Sequence, residues 1–130
     1  MYRTDMEFTG ERVVPGKTPQ TIYDEHIYRY IFAASLAENK VVLDVACGTG
    51  YGVGYMVEKG ATEVVGVDIS MAAVDYAKES LGRNNKASFI CANASRLPFI
   101  DNVFDMVVSL SLVHIASNML PRLKLLPLPL

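Results

Sequence analysis

The sequence has 130 residues, of which 51% are hydrophobic and 20% are charged, a balance typical of a globular chain and too apolar for a disordered one. The formal net charge of −2 offers no basic surface to a polyanion, so no nucleic-acid partner is expected. The length predicts one domain with one core, and no apolar run approaches the roughly 20 residues of a membrane span.

The first 21 residues are polar and are interrupted by glycine and proline, which predicts an irregular N-terminal arm. No apolar stretch follows this polar start, so no secretory signal is expected. Two cysteines, Cys47 and Cys91, stand far apart and outside any CxxC pair. This pattern favours reduced thiols, and we expect a cytoplasmic protein.

From residue 22 the sequence alternates between helical and extended patterns. Apolar residues at helical spacing predict an amphipathic helix from Ile22 to about Glu38. Short apolar runs rich in β-branched residues predict strands at 41–45, 63–68, 87–91 and 103–109. Further helices are predicted at about 51–59 and 71–81. The second of these has Ser70 as a plausible N-cap and Gly82 at its end.

Strands that alternate with helices in this way specify a mainly parallel sheet with right-handed crossovers and helices on its faces. The predicted fold class is therefore α/β. In such a sheet, ligands bind at the carboxyl ends of the strands. The first strand-to-helix turn directs backbone N–H groups and a helix N-terminus toward the ligand.

That first turn is rich in glycine, with glycines at 48, 50 and 52. Glycine allows a sharp bend and lets a ligand lie against bare backbone. A dinucleotide fingerprint would need a third glycine at Val53 or Tyr55, and a phosphate-binding loop would need a following Gly-Lys-Ser/Thr. Neither pattern is present in the sequence, which disfavours a nicotinamide-dependent reductase.

Two acidic residues frame the turn. Asp44 lies four residues before Gly48, where a carboxylate would repel a pyrophosphate but attract a ligand that carries an ammonium and a sulfonium. Asp68 ends the second predicted strand, 20 residues after Gly48, and can accept hydrogen bonds from both hydroxyls of a ribose. An aspartate at a strand end also commonly caps the next helix, so this alternative stays open.

The segment Val42-Leu-Asp-Val-Ala-Cys-Gly-Thr-Gly50 resembles the strand-one motif V-L-D-x-x-C-G-x-G of class I S-adenosylmethionine-dependent methyltransferases. The chain is similar to the type 11-like group of methyltransferase domains over about residues 8 to 117. The resemblance implies S-adenosylmethionine as cofactor and a Rossmann-like three-layer sandwich. It implies that Asp44 and the backbone at Cys47, Gly48 and Gly50 hold the methionine moiety, that Asp68 holds the ribose, and that Ile69 lies on the adenine face with Met71 beside it. Ala46 is also expected to bind the cofactor.

The same resemblance assigns a role to the segment after the third strand. Asn93 and Ala94 precede a Leu97-Pro98-Phe99 turn, and in the family such a pair lies near the adenine amino group. Asn93 stands where the family commonly has an aspartate, and its amide offers both a donor and an acceptor. A simple turn role for Asn93 is the alternative.

The sequence offers one weak candidate for a catalytic residue. His114 follows the fourth predicted strand and could act as a general base, although many methyl transfers need only alignment of the reacting atoms. His26 lies on the amphipathic helix, which in the family often packs beside the cofactor, and a solvated side chain is the alternative. No metal is expected. Ser109-Leu-Ser-Leu replaces the D/N-P-P-Y/F motif, and no Pro-Cys nucleophile occurs, so DNA methylation is not expected.

The predicted fold is incomplete by comparison with the family, because about four of the family's seven strands are recognisable. Residues 118–130 are rich in leucine and proline and do not continue the pattern. We therefore divide the chain into an arm at 1–21, a cofactor-binding domain at 22–117 and an atypical tail at 118–130, and expect a C-terminally truncated family member. A sheet that ends at its fourth strand exposes a hydrogen-bonding edge, which predicts self-association.

The expected function is methyl transfer to a small-molecule acceptor. The segment from Glu7 to Gly16 resembles the leader of a bacterial or archaeal subgroup found near polysaccharide genes, which implies a sugar-related acceptor. The alternative is a cofactor-binding or interaction module without turnover, because the substrate side of the fold is not recognisable.

Overall fold

In the computed structural model of the chain we describe residues 20–94, 96, 103–109 and 112–115, with residues 20–25 and 112–115 as backbone only. The elements in chain order are α1 (Gln20–Ser35), β1 (Val41–Val45), α2 (Tyr51–Glu58), β2 (Glu63–Asp68), α3 (Met71–Leu81), β3 (Ala87–Cys91), β4 (Met106–Ser109) and β5 (Leu112–Ile115). The predicted arm and tail, and the Leu97-Pro98-Phe99 turn, lie outside the described residues.

The strands form one sheet in the order β3-β2-β1-β4-β5. The pairs β1–β2, β1–β4 and β2–β3 are parallel, with Asp44 beside Gly66 and Val108, and Asp68 beside Cys91. This arrangement confirms the predicted α/β class and its mainly parallel sheet, with β1 at the centre.

A fifth strand is the main difference from the sequence prediction. Residues Leu112–Ile115 pair antiparallel with β4, so that Ser109 faces Leu112 and Met106 faces Ile115. The expectation that the edge of β4 is exposed was wrong, because β5 satisfies its hydrogen-bonding groups. The argument for self-association through that edge is thereby removed.

The strands β1, β2 and β4 are buried on both faces, as expected for parallel strands. One face packs against all three helices around Val42, Val64, Met56, Val74 and Met106. The opposite face carries Leu43, Val45, Val65, Val67, Phe104 and Val107. The third layer of the predicted sandwich lies outside the described residues.

Local contacts position the loop before β1 and the start of β4. Asn39, four residues after the end of α1, adopts a left-handed φ of 61° and donates its backbone N–H to the Gly60 carbonyl at 2.9 Å. Asp105 precedes β4 and accepts the Val41 N–H at 2.9 Å through its carboxylate. No helix among the described residues is long and apolar enough to span a membrane.

Candidate functional site

The turn from β1 to α2 covers residues 46–50 and is built from left-handed backbone. Ala46, Gly48 and Gly50 have φ values of 62°, 58° and 87°. This conformation costs glycine little, but it costs an alanine roughly 1 kcal/mol or more, so Ala46 is a strained position. The turn is tied to the neighbouring strand by a 2.9 Å hydrogen bond from the Cys47 N–H to the Val67 carbonyl.

Packing underneath the turn requires glycine at two positions, Gly50 in the turn and Gly66 in β2. A Cβ at Gly50 would lie 2.9 Å from the Ala77 Cβ and 3.0 Å from the Phe89 ring, so α3 and β3 press directly on the turn. A Cβ at Gly66 would lie 2.9 Å from the Cys47 Sγ. Cys47 is consequently buried, and burial is the main cause that raises the pKa of its thiol well above the ordinary range.

Asp68 connects the turn to the next helix. Its Oδ2 accepts the Gly48 N–H and its Oδ1 accepts the Ser70 N–H, both at 2.9 Å. The cap of α3 is a different residue, because the Ser70 hydroxyl accepts the Ala73 N–H at 3.2 Å. Asp68 is only partly buried, and each carboxylate oxygen retains a lone pair for a further donor.

Asp44 lies in β1 directly below the turn and is fully buried. Burial raises its pKa to about 8, the charge of Asp68 adds to that rise, and a hydrogen bond from Tyr30 lowers it. The Tyr30 hydroxyl donates to both carboxylate oxygens, at 2.9 and 3.1 Å. The pKa of Tyr30 is itself raised well above its usual range, first by burial and then by the charge of Asp44.

Tyr30 was not among the site residues predicted from the sequence. It comes from α1, and its ring packs edge-on against Tyr51 with centroids 5.1 Å apart. Gly52 is the second residue of α2, not part of the turn as predicted, and a Cβ there would overlap the Tyr30 ring. The missing side chain at position 52 therefore makes room for a tyrosine of this protein rather than for a ligand.

The remaining predicted cofactor-site residues lie at the carboxyl ends of β2 and β3. Ile69 is 73% exposed and Met71 is 57% exposed beside Asp68. The Ala92 N–H donates to the Asp68 carbonyl at 3.1 Å, which brings the exposed residues Asn93 and Ala94 next to the end of β2. An acid and accessible apolar side chains thus share one edge of the sheet.

The two histidines lie on the outer elements. His114 is in β5 opposite Val107, and its side chain lies outside the described part of the chain. His26 is a half-buried residue of α1. Within the described ranges, no group of three His, Cys, Asp or Glu side chains is arranged to bind a metal ion.

Comparison with known proteins gives one consistent result. The profile of a methyltransferase domain matches residues 42–124. Phosphoethanolamine N-methyltransferase of Triticum aestivum is 36% identical over 81 residues, which cover 62% of this chain and 16% of that protein. tRNA U34 carboxymethyltransferase of Shewanella halifaxensis is 32% identical over 116 residues, which cover 87% of this chain and 29% of that protein.

A solved structure shows the same arrangement. The PH0226 protein of Pyrococcus horikoshii OT3 superposes with a TM-score of 0.58 at 33% identity, over 69% of this chain and 43% of that one. The chain therefore spans less than a third of the length of the two curated relatives and less than half of this structural neighbour.

Proposed function

The chain belongs to the S-adenosylmethionine-dependent methyltransferase domain family, and on that premise we propose that it binds the methyl donor at the carboxyl ends of β1, β2 and β3. We further propose that residues 22–117 form the donor-binding domain and that the protein transfers the methyl group to a small-molecule acceptor. The observation that carries the proposal is the pair of acids, Asp44 and Asp68, on adjacent central strands and joined by the turn whose Gly48 N–H binds Asp68.

The charge of the site fits the methionine end of the donor, which carries an ammonium and a sulfonium. Asp44 is fully buried, so once ionised it would act on the ligand from beneath the turn rather than from the surface, and a bound ammonium would favour that ionised form. A charge within the protein interacts more strongly than one in water because the surroundings are less polarisable. The backbone of Ala46, Cys47, Gly48 and Gly50 would form the surface that the methionine moiety meets.

The adenosine end of the donor would lie at the carboxyl ends of β2 and β3. The free lone pairs of Asp68 would accept the ribose hydroxyls, in hydrogen bonds that are strengthened by the carboxylate charge. The exposed side chains of Ile69 and Met71 would cover one face of the adenine. Asn93 and Ala94 would lie near the adenine amino group.

When bound, S-adenosylmethionine supplies an electrophilic methyl group on a sulfonium. The residues of this chain would bind and orient that group and exclude water from the carboxyl edge of the sheet. Holding the acceptor in line with the methyl group accounts for much of the rate in such reactions, so a protein base is not required. His114 stays the candidate base for an acceptor that must lose a proton.

Two observations favour a small acceptor over a nucleic acid. The sequence has a net charge of −2, whereas binding to a phosphate backbone is favoured by clustered lysine and arginine. A similar curated protein is named for phosphoethanolamine, a small amine. Another is named for tRNA, so tRNA is the competing acceptor, and sugar derivatives are the first small molecules to test.

Calorimetric titration tests the donor site. We expect S-adenosylhomocysteine, the product of methyl transfer, to bind and NAD not to bind, because Val53 and Tyr55 replace the third glycine of a dinucleotide site. Binding of NAD alone would overturn the proposal.

Transfer of a radiolabelled methyl group to fractions of a cell extract then tests turnover. Label in the small-molecule fraction supports the proposed acceptor class, and label in tRNA replaces it with the competing one. Donor binding without label in any fraction would favour a cofactor-binding module without turnover.

A further inference from the structure

A single hydroxyl group serves both oxygens of Asp44. Tyr30 donates to Oδ2 at 2.9 Å and to Oδ1 at 3.1 Å, and both residues lie in the core. A donor that contacts a carboxylate stabilises its ionised form over its protonated form. The hydroxyl therefore acts on the charge of Asp44 as well as on its orientation.

The ring of Tyr30 is also held by contacts that do not involve its hydroxyl. Tyr51 packs against the ring at an interplanar angle of 75°, and Gly52 leaves the space that the ring fills. Both residues belong to the first turn of α2, the helix that follows the glycine-rich turn. The same helix thus begins at the proposed donor site and holds the tyrosine in place.

Among the residues that the structure describes, the other groups near Asp44 do not favour its charged form. Asp68 of β2 repels it, and the Cys47 thiol is an acidic group that carries no positive charge. Its neighbours on β2 and β4, Gly66 and Val108, are uncharged. Among the described groups that shift its pKa, Tyr30 of α1 is the one that lowers it.

We infer that Tyr30 is a positioning residue for the methyl donor, whose hydroxyl orients Asp44 and favours its ionised form beneath the turn that receives the charged methionine end. This inference rests on the proposed function. Its consequence is selective, because only the methionine end of the donor carries charge and the adenosine end is neutral. Loss of the hydroxyl should therefore weaken ligands with the ammonium and leave neutral adenosine ligands unaffected.

Titration of the chain with two ligands at pH 7 separates an effect on the methionine end of the donor from an effect on the adenosine end. S-adenosylhomocysteine carries the ammonium, and 5′-methylthioadenosine has the same adenosine part without the amino acid. For Tyr30→Phe we expect about tenfold weaker binding of S-adenosylhomocysteine, which corresponds to a rise of about one unit in the pKa of Asp44. Binding of 5′-methylthioadenosine should change by less than about twofold, on the order of measurement error.

Tyr28→Phe is the matched control, because Tyr28 lies on the same helix and is 77% exposed. It should leave the affinity for both ligands unchanged. Gly52→Ala is a second route to the same effect, since the new Cβ would displace the Tyr30 ring while the hydroxyl remains in the sequence. Its control is Gly54→Ala in the same helix, where the Cβ would lie 3.3 Å from the flexible end of Leu81.

The pH dependence of affinity distinguishes positioning from a structural role. Between pH 6 and 8.5, binding of S-adenosylhomocysteine to the unchanged chain should tighten with pH and level off near 8, as Asp44 ionises. In Tyr30→Phe the affinity should continue to rise across the whole range, because the pKa of Asp44 is higher still.

The outcomes separate the inference from the proposed function. If the unchanged chain does not bind S-adenosylhomocysteine, the proposed function fails and the role of Tyr30 fails with it. The other outcomes apply when the unchanged chain does bind S-adenosylhomocysteine. The role of Tyr30 alone is then overturned if Tyr30→Phe lowers the affinity for both ligands equally or for neither. It is also overturned if Tyr30→Phe leaves the pH dependence of affinity unchanged.

Discussion

The carboxyl group of Asp44 favours its protonated form in the folded chain. Burial raises its pKa from an ordinary 3.8 to about 8, despite the opposing hydrogen bond from Tyr30. Between these two values the folded chain holds a proton that the unfolded chain has released. The stability contributed by protonated Asp44 is therefore fully present below about pH 4 and is lost as the pH rises through about 8.

Replacement of this one group should change how stability depends on pH. Asp44→Asn cannot ionise, so relative to the unchanged chain it should gain up to about 1.4 kcal/mol of unfolding free energy for each pH unit between roughly 5 and 8. Urea unfolding at pH 5.5, 6.5 and 7.5 measures the difference. The exposed Asp75→Asn on α3 is the control, and a difference that does not vary with pH would show that Asp44 is ionised throughout.

At the residue scale, the sequence predicted the two acids and the glycine turn but missed the residues that support them. Asp44, Gly48 and Asp68 were recognisable because their spacing follows from one strand-turn-helix-strand unit. Tyr30 lies 14 residues before its partner, and its place on an apolar helix face shows only that it is buried. Which strand residue it meets depends on how α1 packs on the sheet.

At the scale of elements, α3 begins with a side-chain cap that can be tested separately from the site. The Ser70 hydroxyl accepts the Ala73 N–H, while the Ser70 backbone N–H binds Asp68. Ser70→Ala removes the first bond and keeps the second. We expect a loss of about 1 kcal/mol in unfolding free energy by urea denaturation.

Ser88→Ala on β3 is the control for this cap, since Ser88 is exposed and lies in a strand. It should alter stability by less than about 0.5 kcal/mol. Equal effects of the two serine substitutions would mean that the cap does not stabilise α3 in solution.

The first and last residues of a helix or strand were predictable where its apolar or helical pattern began and stopped abruptly in the sequence. The bounds of β1, β2, α3 and β3 match the sequence prediction, because apolar or helical runs there are bounded by polar or glycine residues. β4 begins three residues later than predicted because Asp105 binds the start of β1 through its side chain. β5 was missed, since a four-residue segment with three apolar residues and a histidine does not distinguish a strand from the start of a helix.

At the scale of the whole molecule, Cys47 joins the turn to the core that the sheet forms with its helices. The thiol is 2% exposed and lies against Gly66 of β2, whereas Cys91 is only partly buried. The thiolate is the reactive form of cysteine, and burial raises the pKa of Cys47. The rate at which Cys47 is modified therefore reports how often the core around the turn opens.

Alkylation by iodoacetamide should modify Cys91 at least about tenfold faster than Cys47 in the folded chain, because modification of Cys47 requires opening of the core. Mass spectrometry of the two peptides over time measures both rates. In denaturant the rates should become similar, which serves as the control. Comparable rates in the folded chain would contradict the burial of the turn.

The proposed donor site depends most directly on Asp68, which holds the turn and is expected to bind the ribose. Titration of Asp68→Ala with S-adenosylhomocysteine should show an affinity at least roughly tenfold lower than that of the unchanged chain, because a charge-assisted hydrogen bond is lost. The exposed Asp75→Ala should bind as the unchanged chain does. An unaltered affinity in Asp68→Ala would contradict the placement of the donor at this edge of the sheet.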